Sequence, residues 1–447
     1  MIAAERTTDD SSLVELRIGA VAHGGHCVAR HEGRVVFVRH ALPGELVRAR
    51  LAPGAASDRF WRADAVEVIE PSLDRVEPRC ALSGPGGCGG CDWQHASVGG
   101  ARRLKADVVR EQLVRLGRVD LAAVPGLADL AVEAVPGDTD GLAWRTRMRF
   151  GVDAEGRAGL RRHRSHDLVP VPHCPIAHPG AEALGVGTRP WRDVTALDVV
   201  SASSGERLVI AQPVLGGRVS PPPLAAEAAF AVRGESGLKR LRGRTWVTEE
   251  VAYRLPSGTV RRTFRVTGAG FWQVHPGAAE ALTGAVLDGA EPAPGERALD
   301  LYSGVGLFTA GLALRVGAEG AVLGVESDAH AAADARRSLH DLPQAELLTG
   351  RVERVLSGLL DGPSPLRPDV VVLDPPRAGA GRAVMTALLR ALPRVVVYVA
   401  CDPASLARDV AIASGVGYRL ASVRAFDLFP MTQHVECVAV LVPGDPS

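Results

Sequence analysis

An apolar run, VYVA, ends at Ala400 and delivers a thiol, Cys401, to the point where a strand would give way to a loop. Further on, Glu436 opens another apolar run within DLFPMTQHVECVAVL. A thiolate in such a place can add to an electrophilic carbon, and a carboxylate beside it can accept a proton. The pair suits one demanding reaction, methylation at carbon 5 of a pyrimidine. That carbon is a poor nucleophile until a thiolate adds to carbon 6 and makes it enolate-like. The methyl group can then transfer, a base such as Glu436 removes the carbon 5 proton, and the thiolate leaves by elimination. Chemistry of this kind needs the nucleobase turned out of its stack.

A second constellation fits a cofactor. RALDLY runs into Asp300-Leu-Tyr-Ser-Gly304-Val-Gly306 and on to Thr309. Gly304 and Gly306 allow a tight turn and close approach of a ligand at the carboxyl edge of a parallel sheet. Glu326 ends the next strand, where an acid can accept hydrogen bonds from ribose hydroxyls. A nicotinamide enzyme would show the same elements, but Thr309 replaces the third glycine of that fingerprint. S-adenosylmethionine, which has no pyrophosphate to seat on the helix, fits at least as well. Asp374-Pro-Pro-Arg377 ends a further strand, and its two prolines fix an extended loop that holds the acid beside the cofactor. Amino-group methyltransferases close such a motif with an aromatic residue. Arginine at that position disfavours methylation of an exocyclic amine.

A third group is made of thiols. Cys80, Cys88 and Cys91 share one glycine-rich loop, CALSGPGGCGGCDWQH, with Cys174 as a distant fourth. Seven cysteines without a secretory leader argue for metal or catalytic chemistry rather than a disulfide scaffold. Four thiolates suit a structural zinc or an iron–sulfur cluster, and spacing does not separate the two. Between Trp144 and Pro172 stand seven arginines (Arg145, Arg147, Arg149, Arg157, Arg161, Arg162, Arg164) with Trp144 and Phe150 among them. This is a candidate face for an RNA backbone or a solvated arginine face.

These residues need a scaffold. At 447 residues the chain is long enough for two or three domains. The formal net charge is zero, so a nucleic-acid contact must come from a local basic surface. No run of about 18 apolar residues suggests a membrane span, so a cytoplasmic protein is expected. Residues 1–12 are polar and expected to be disordered. Short β-rich runs over 10–70 predict a small OB-like barrel. Residues 71–270 read as a mostly antiparallel insert with a helix over 101–116, and 271–447 as a catalytic domain. There, apolar strands alternate with helices in the α/β pattern of a doubly wound, Rossmann-like parallel sheet, and the last two strands are too closely linked to be parallel.

DLYSGVG, DPPRAG, VYVACDPASLARD and DLFPMTQHVE together resemble, in order, the motifs of the RNA uridine C5-methyltransferases, and GFWQVHP resembles the segment before their catalytic domain. GRVVFVRHALPGE is similar to the core of a TRAM domain, an OB-like RNA-binding module. The resemblance implies Cys401 as nucleophile, Glu436 as proton acceptor, and Gln273, Tyr302, Glu326 and Asp374 as contacts to S-adenosyl-L-methionine. It also implies a 4Fe–4S cluster on Cys80, Cys88, Cys91 and Cys174, and a structured RNA, ribosomal or transfer, as the partner of a monomeric enzyme. Asp402, Met431 and His275 depart from the family pattern at positions bearing on uracil recognition and cofactor geometry. The competing readings are an RNA cytosine C5-methyltransferase and a non-catalytic RNA-binding protein with a vestigial methyltransferase domain.

Overall fold

The structure is a computed structural model that describes residues 13–53, 58–235, 237–268, 270–360, 362 and 365–444. The stretch 1–12, expected to be disordered, lies outside them. The first five strands are β1 (Leu13–Arg17), β2 (Cys27–His31), β3 (Arg34–Arg39), β4 (Leu46–Leu51) and β5 (Phe60–Glu70). They form one sheet in the order β1-β4-β5-β3-β2. Its alternate residues, such as Val36, Val38, Val47 and Ala49, are buried in one small core, as a one-sided sheet requires. The sheet curls until its two ends meet, where Gly19 N–H donates to Val28 O (2.8 Å) and Val28 N–H to Ala20 O (2.9 Å). A curled sheet, a half-barrel, thus stands at the amino end where the OB-like barrel was expected.

Next come α1 (Val98–Arg115) and the short β6 (Val132–Glu133). The Ser97 hydroxyl caps α1 by accepting from Gly100 N–H. A second sheet is built from β7 (Arg147–Val152), β8 (Ala158–Arg161), β9 (Leu168–Pro170), β10 (Val194–Ser201), β11 (Arg207–Pro213), β12 (Ala229–Gly234) and β13 (Gly237–Arg242), with α2 (Pro179–Glu182) between β9 and β10. Its order is β13-β12-β11-β10-β7-β8-β9, antiparallel except for β11 beside β12. A hairpin of β14 (Trp246–Leu255) and β15 (Gly258–Thr267) follows.

The remaining chain alternates α3 (Ala278–Ala290), β16 (Arg297–Leu301), α4 (Leu307–Val316), β17 (Ala321–Glu326), α5 (Ala329–Ser338), β18 (Ala345–Thr349), α6 (Val352–Leu360), β19 (Val370–Leu373), α7 (Gly381–Arg390), β20 (Val395–Ala400) and α8 (Pro403–Ser414). It closes with β21 (Tyr418–Phe426) and β22 (Glu436–Pro443). The sheet order is β18-β17-β16-β19-β20-β22-β21-β6, with β22 antiparallel to both neighbours, as the short connection predicts. The runs VVVL and VVVYVA are buried throughout because helices cover both faces. Val370, Val372, Val397 and Val399 join the core under α3 and α4, whereas Val371, Leu373, Tyr398 and Ala400 face α7 and α8.

The segment 71–270 is distributed over several cores. Ala106, Val109 and Leu113 of α1 share a core with Leu406 and Val410 of α8, and β6 extends the catalytic sheet beside β21. Val251, Tyr253 and Phe264 of the hairpin pack with α3 and α4. These pieces brace the sheet whose carboxyl edge carries the candidate site.

Candidate active site

The turn after β16 is left-handed at Tyr302 (φ 64°), Gly304 (φ 56°) and Gly306 (φ 89°). A β-carbon on Gly306 would meet Leu339 at 2.8 Å, whereas one on Gly304 would enter open space. Gly304 therefore leaves a cradle for a ligand, and Gly306 lets α4 close on α5. Glu326, at the end of β17, accepts from the N–H groups of Gly304 (2.9 Å) and Asp328 (2.6 Å). The Ser327 hydroxyl donates to it as well (3.2 Å), and since a carboxylate has about four acceptor sites, room is left for one ribose hydroxyl.

Three more carboxyls continue this edge. Asp300, inside β16, is fully buried; it accepts from the Thr309 hydroxyl with Oδ2, and Oδ1 has no protein partner. Burial, with Glu326 nearby, pushes its carboxyl up to about 7 against the Thr309 hydrogen bonds. Asp374 follows β19, its N–H donating to Leu301 O (3.2 Å), and burial with the Asp300 charge raises it to about 7. Glu436 at the head of β22 is buried, and desolvation with Asp374 raises it well above the carboxylate range, Arg377 opposing. A row of reluctant acids beside an open glycine turn suits a positively charged ligand, which would favour their ionised forms. S-adenosylmethionine, a sulfonium that also carries an amino group, fits this donor set.

The nucleophile is placed by register. β20 and β22 pair Val399 with Val438 and Ala400 with Cys437, and one further step sets Cys401 opposite Glu436. Cys437 turns the other way, into the apolar core. The half-buried Cys401 thiol is pushed up to about 12 by burial, then by Glu436 and Asp374, with Arg377 pulling it down. Arg377, in the loop after β19, lies 3.3 Å from His434 Nε2.

Asp402 caps α8 through Ser405 N–H (2.8 Å) and contacts His23 Nε2 (2.9 Å). Burial would raise its carboxyl, but the hydrogen bonds from His23 and Ser405 outweigh that and hold it at about 2. The partner of this departure from the family pattern is thus His23 of the amino-terminal sheet, which arrives from a loop the local sequence does not connect with it. The two other departures lie among apolar and aromatic side chains. Met431 (φ 63°) packs with Trp144 and Ile176, and His275 stacks on Trp144 with centroids 6.2 Å apart. Gln273 is buried in the loop before α3.

The loop before Glu436 is gripped by the cysteine segment. Met431 O accepts the N–H groups of Asp92 (2.9 Å) and Trp93 (3.0 Å), and Gln433 N–H donates to Asp92 (3.1 Å). Trp93 Nε1 donates onward to Gly25 O (3.1 Å). Cys80, Cys88, Cys91 and Cys174 line one cavity with Leu160 and Ile176. Among the described residues no three His, Cys, Asp or Glu side chains converge as ligands to a single metal ion.

The arginine stripe does not form one face. Trp144 and Phe150 are core residues. Arg147 pairs with the buried Glu249 (2.9 Å), Arg149 with Asp198 (2.8 Å) and Arg157 with Asp153 (2.8 Å). Arg161, Arg162 and Arg164 remain exposed at the β8–β9 turn. Sequence reading missed Asp300 and His434 as site residues. An acid inside the apolar strand RALDL was the available signal for Asp300, whereas nothing local marks His434.

Comparison with known proteins places this geometry. Residues 365–443 match the sequence family described as tRNA (Uracil-5-)-methyltransferase, and residues 12–53 match the TRAM domain. An RNA methyltransferase of Streptomyces avermitilis is 47% identical over 444 residues, covering 96% of this chain and 98% of that protein. A 23S rRNA (uracil(1939)-C(5))-methyltransferase of Thiobacillus denitrificans is 32% identical, covering 94% of this chain and 97% of that one. The crystal structure of the Pyrococcus abyssi tRNA (uracil-54, C5)-methyltransferase with S-adenosyl-L-homocysteine shares the fold, with a TM-score of 0.68 and 23% identity over 95% of this chain and 99% of that one.

Proposed function

Since the chain belongs to the S-adenosylmethionine-dependent RNA uracil-C5-methyltransferases, we propose that it methylates carbon 5 of a uridine in a structured RNA, ribosomal or transfer, through a covalent adduct on Cys401. The observation that carries this reading is the β20–β22 register, which supports Cys401 and Glu436 as a facing pair at the end of the carboxyl row.

S-adenosylmethionine, when bound along Gly304, Glu326 and Asp374, supplies the methyl group and a positive charge beside these acids. Cys401 gives its proton to water, and its sulfur adds to carbon 6 of the uracil while the C5–C6 π electrons move toward O4 as an enolate. Carbon 5, now enolate-like, bonds to the methyl carbon as the sulfonium S–CH3 bond breaks and its electron pair returns to sulfur, leaving S-adenosylhomocysteine. Glu436 removes the carbon 5 proton, the electrons of that C–H bond restore the ring double bond, and Cys401 is expelled as thiolate. Burial makes Glu436 a strong base once it is ionised. Gln273 and Tyr302 are the further cofactor contacts in this reading.

The test uses RNA carrying tritium at uridine carbon 5. One tritium released to water for each 5-methyluridine formed is expected. Methylation that leaves the label in the RNA would exclude Cys401 addition followed by Glu436 abstraction.

The same reading gives Cys80, Cys88, Cys91 and Cys174 a 4Fe–4S cluster. A single zinc would draw four sulfurs to about 2.3 Å from one point. Four thiols lining one cavity fit either group, and it is the family resemblance that favours the cluster. Burial holds the thiols of Cys91 and Cys174 up, at about 12 and about 11, so they stay protonated until metal displaces the protons. If bound, such a cluster would play a structural part: Cys91 would hold it, and the adjoining Asp92 and Trp93 grip Met431 and Gln433. Anaerobically purified protein is expected to carry four irons and four sulfides and a broad visible absorption. One tightly bound zinc and no iron would overturn the assignment.

A further inference from the structure

On the outward face of the first sheet, β3 and β5 run in parallel and set Phe37 beside Arg62 and Arg39 beside Asp64. Alternation sends Val36 and Val38 inward and leaves Phe37 and Arg39 half-exposed. Facing them is the cysteine loop at Gly84–Gly87, together with the turn between β8 and β9. That turn is pressed against the loop: Gly89 N–H donates to Arg161 O (3.0 Å), and a β-carbon on Gly89 would strike His163 N at 2.5 Å. The two walls enclose a cleft of about 290 Å³.

Its chemistry is uneven. Arg39, Arg62, Arg162 and Arg164 line it against two acids, Asp64 and Asp167. Arg62, Arg162 and Arg164 are exposed, and none of the three has an ion-pair partner among the described residues. The half-exposed Phe37 stands edge-on to His26 (6.2 Å, 72°), and His26 to His163 (5.9 Å, 67°). His163 Nε2 is buried without a protein partner. Unpaired guanidinium groups around an accessible aromatic ring are the two components of a single-stranded nucleic-acid site, one for phosphate and one for a base face.

The cleft is also joined to the active site. The turn that carries His26 into it carries His23 onto Asp402, next to Cys401, and Gly25 against Gln433. A strand with one nucleotide in the cleft therefore leads toward the nucleophile.

We propose that this cleft receives one unstacked nucleotide of the substrate RNA, near the uridine presented to Cys401, with its phosphate on Arg62, Arg162 and Arg164 and its base against Phe37. The proposal rests on the RNA methyltransferase reading above.

The full chain is titrated with a fluorescently labelled RNA substrate over a range of salt, and its methylation kinetics are measured with the same RNA. Removing charge at the exposed turn (Arg162→Gln with Arg164→Gln), or Arg62→Gln on the sheet, should weaken RNA binding by about tenfold. The slope of log affinity against log salt should become shallower by about 0.7 for each phosphate that is no longer neutralised. Phe37→Leu should weaken binding by about tenfold with little change in slope. In all of them the KM for RNA should rise while kcat at saturating RNA and S-adenosylmethionine affinity hold. If the unaltered protein binds and methylates RNA while these variants keep its affinity and salt slope, the cleft proposal falls and the enzymatic reading stands. If the unaltered protein neither binds nor methylates RNA, the enzymatic reading fails and takes the cleft with it.

Discussion

Cys401→Ala is expected to end methyl transfer, with turnover falling by about 10⁴-fold or more, because without addition to carbon 6 no carbon nucleophile forms. Glu436→Gln should behave differently. The thiolate can still add and the methyl group can still transfer, but the carbon 5 proton has no acceptor, so elimination stalls. Protein and RNA should then migrate together on a denaturing gel, with turnover down by about 10² to 10⁴. Near-normal turnover without an adduct would remove Glu436 from the mechanism. Cys401→Ala should show no adduct at all, alone or combined with Glu436→Gln.

The same pair sets a pH dependence in the free protein. A thiol held at about 12 by burial, Glu436 and Asp374 is protonated below that pH, and its thiolate fraction grows tenfold with each pH unit. Alkylation of Cys401 by iodoacetamide should therefore climb from about pH 7 to about pH 10 without levelling off, whereas an ordinary thiol levels near pH 8.5 to 9. A plateau at neutral pH would mean that Arg377 outweighs the acids. The sulfonium charge of a bound S-adenosylmethionine should speed alkylation relative to its demethylated product, whose sulfur is neutral, for the electrostatic reason that the acid row suits a cation.

Much of this site was legible because its parts are local. Each strand of the parallel sheet is an apolar run ending in a chemical residue, so Glu326, Asp374 and Cys401 could be assigned to one edge from sequence pattern alone. The few residues between β21 and β22 forced an antiparallel pair, and it is the pairing of β22 with β20 on its other side that carries Glu436 to Cys401. What escaped depends on contacts distant in sequence. The arginines of 145–164 look like one stripe, but strand alternation and the partners Glu249, Asp198 and Asp153 divide them, so that the exposed arginines without an ion-pair partner among the described residues are those at the turn. His23 and Asp402 meet across most of the chain's length. The helix α1 was expected from its sequence, but its packing on α8 was not, because its apolar face does not specify which partner will cover it.

That helix carries the second large expected effect. Lys105 of α1 is fully buried, and its ammonium donates to Asp427 and to Phe429 O (3.0 Å). Asp427 is also buried and is bonded by Arg102 (3.1 Å), which reaches Asp138 as well. A buried ammonium is tolerated only while its counter-charge is present, and desolvation already lowers the Lys105 pKa. Asp427→Leu should therefore cost about 3–5 kcal/mol, read as a fall in the urea midpoint at unchanged slope. Lys105→Met should cost less, because Arg102 still faces Asp427. The double variant should recover part of the loss, since Arg102 keeps Asp138 and no unpaired lysine remains. The effect should also reach the chemistry, because Asp427 and Phe429 anchor the loop that delivers Glu436. Lys105→Met is expected to slow elimination more than addition, leaving adduct in the otherwise unaltered active site. Asp427→Leu within about 1 kcal/mol of the parent would show that the ion pair does not anchor this loop.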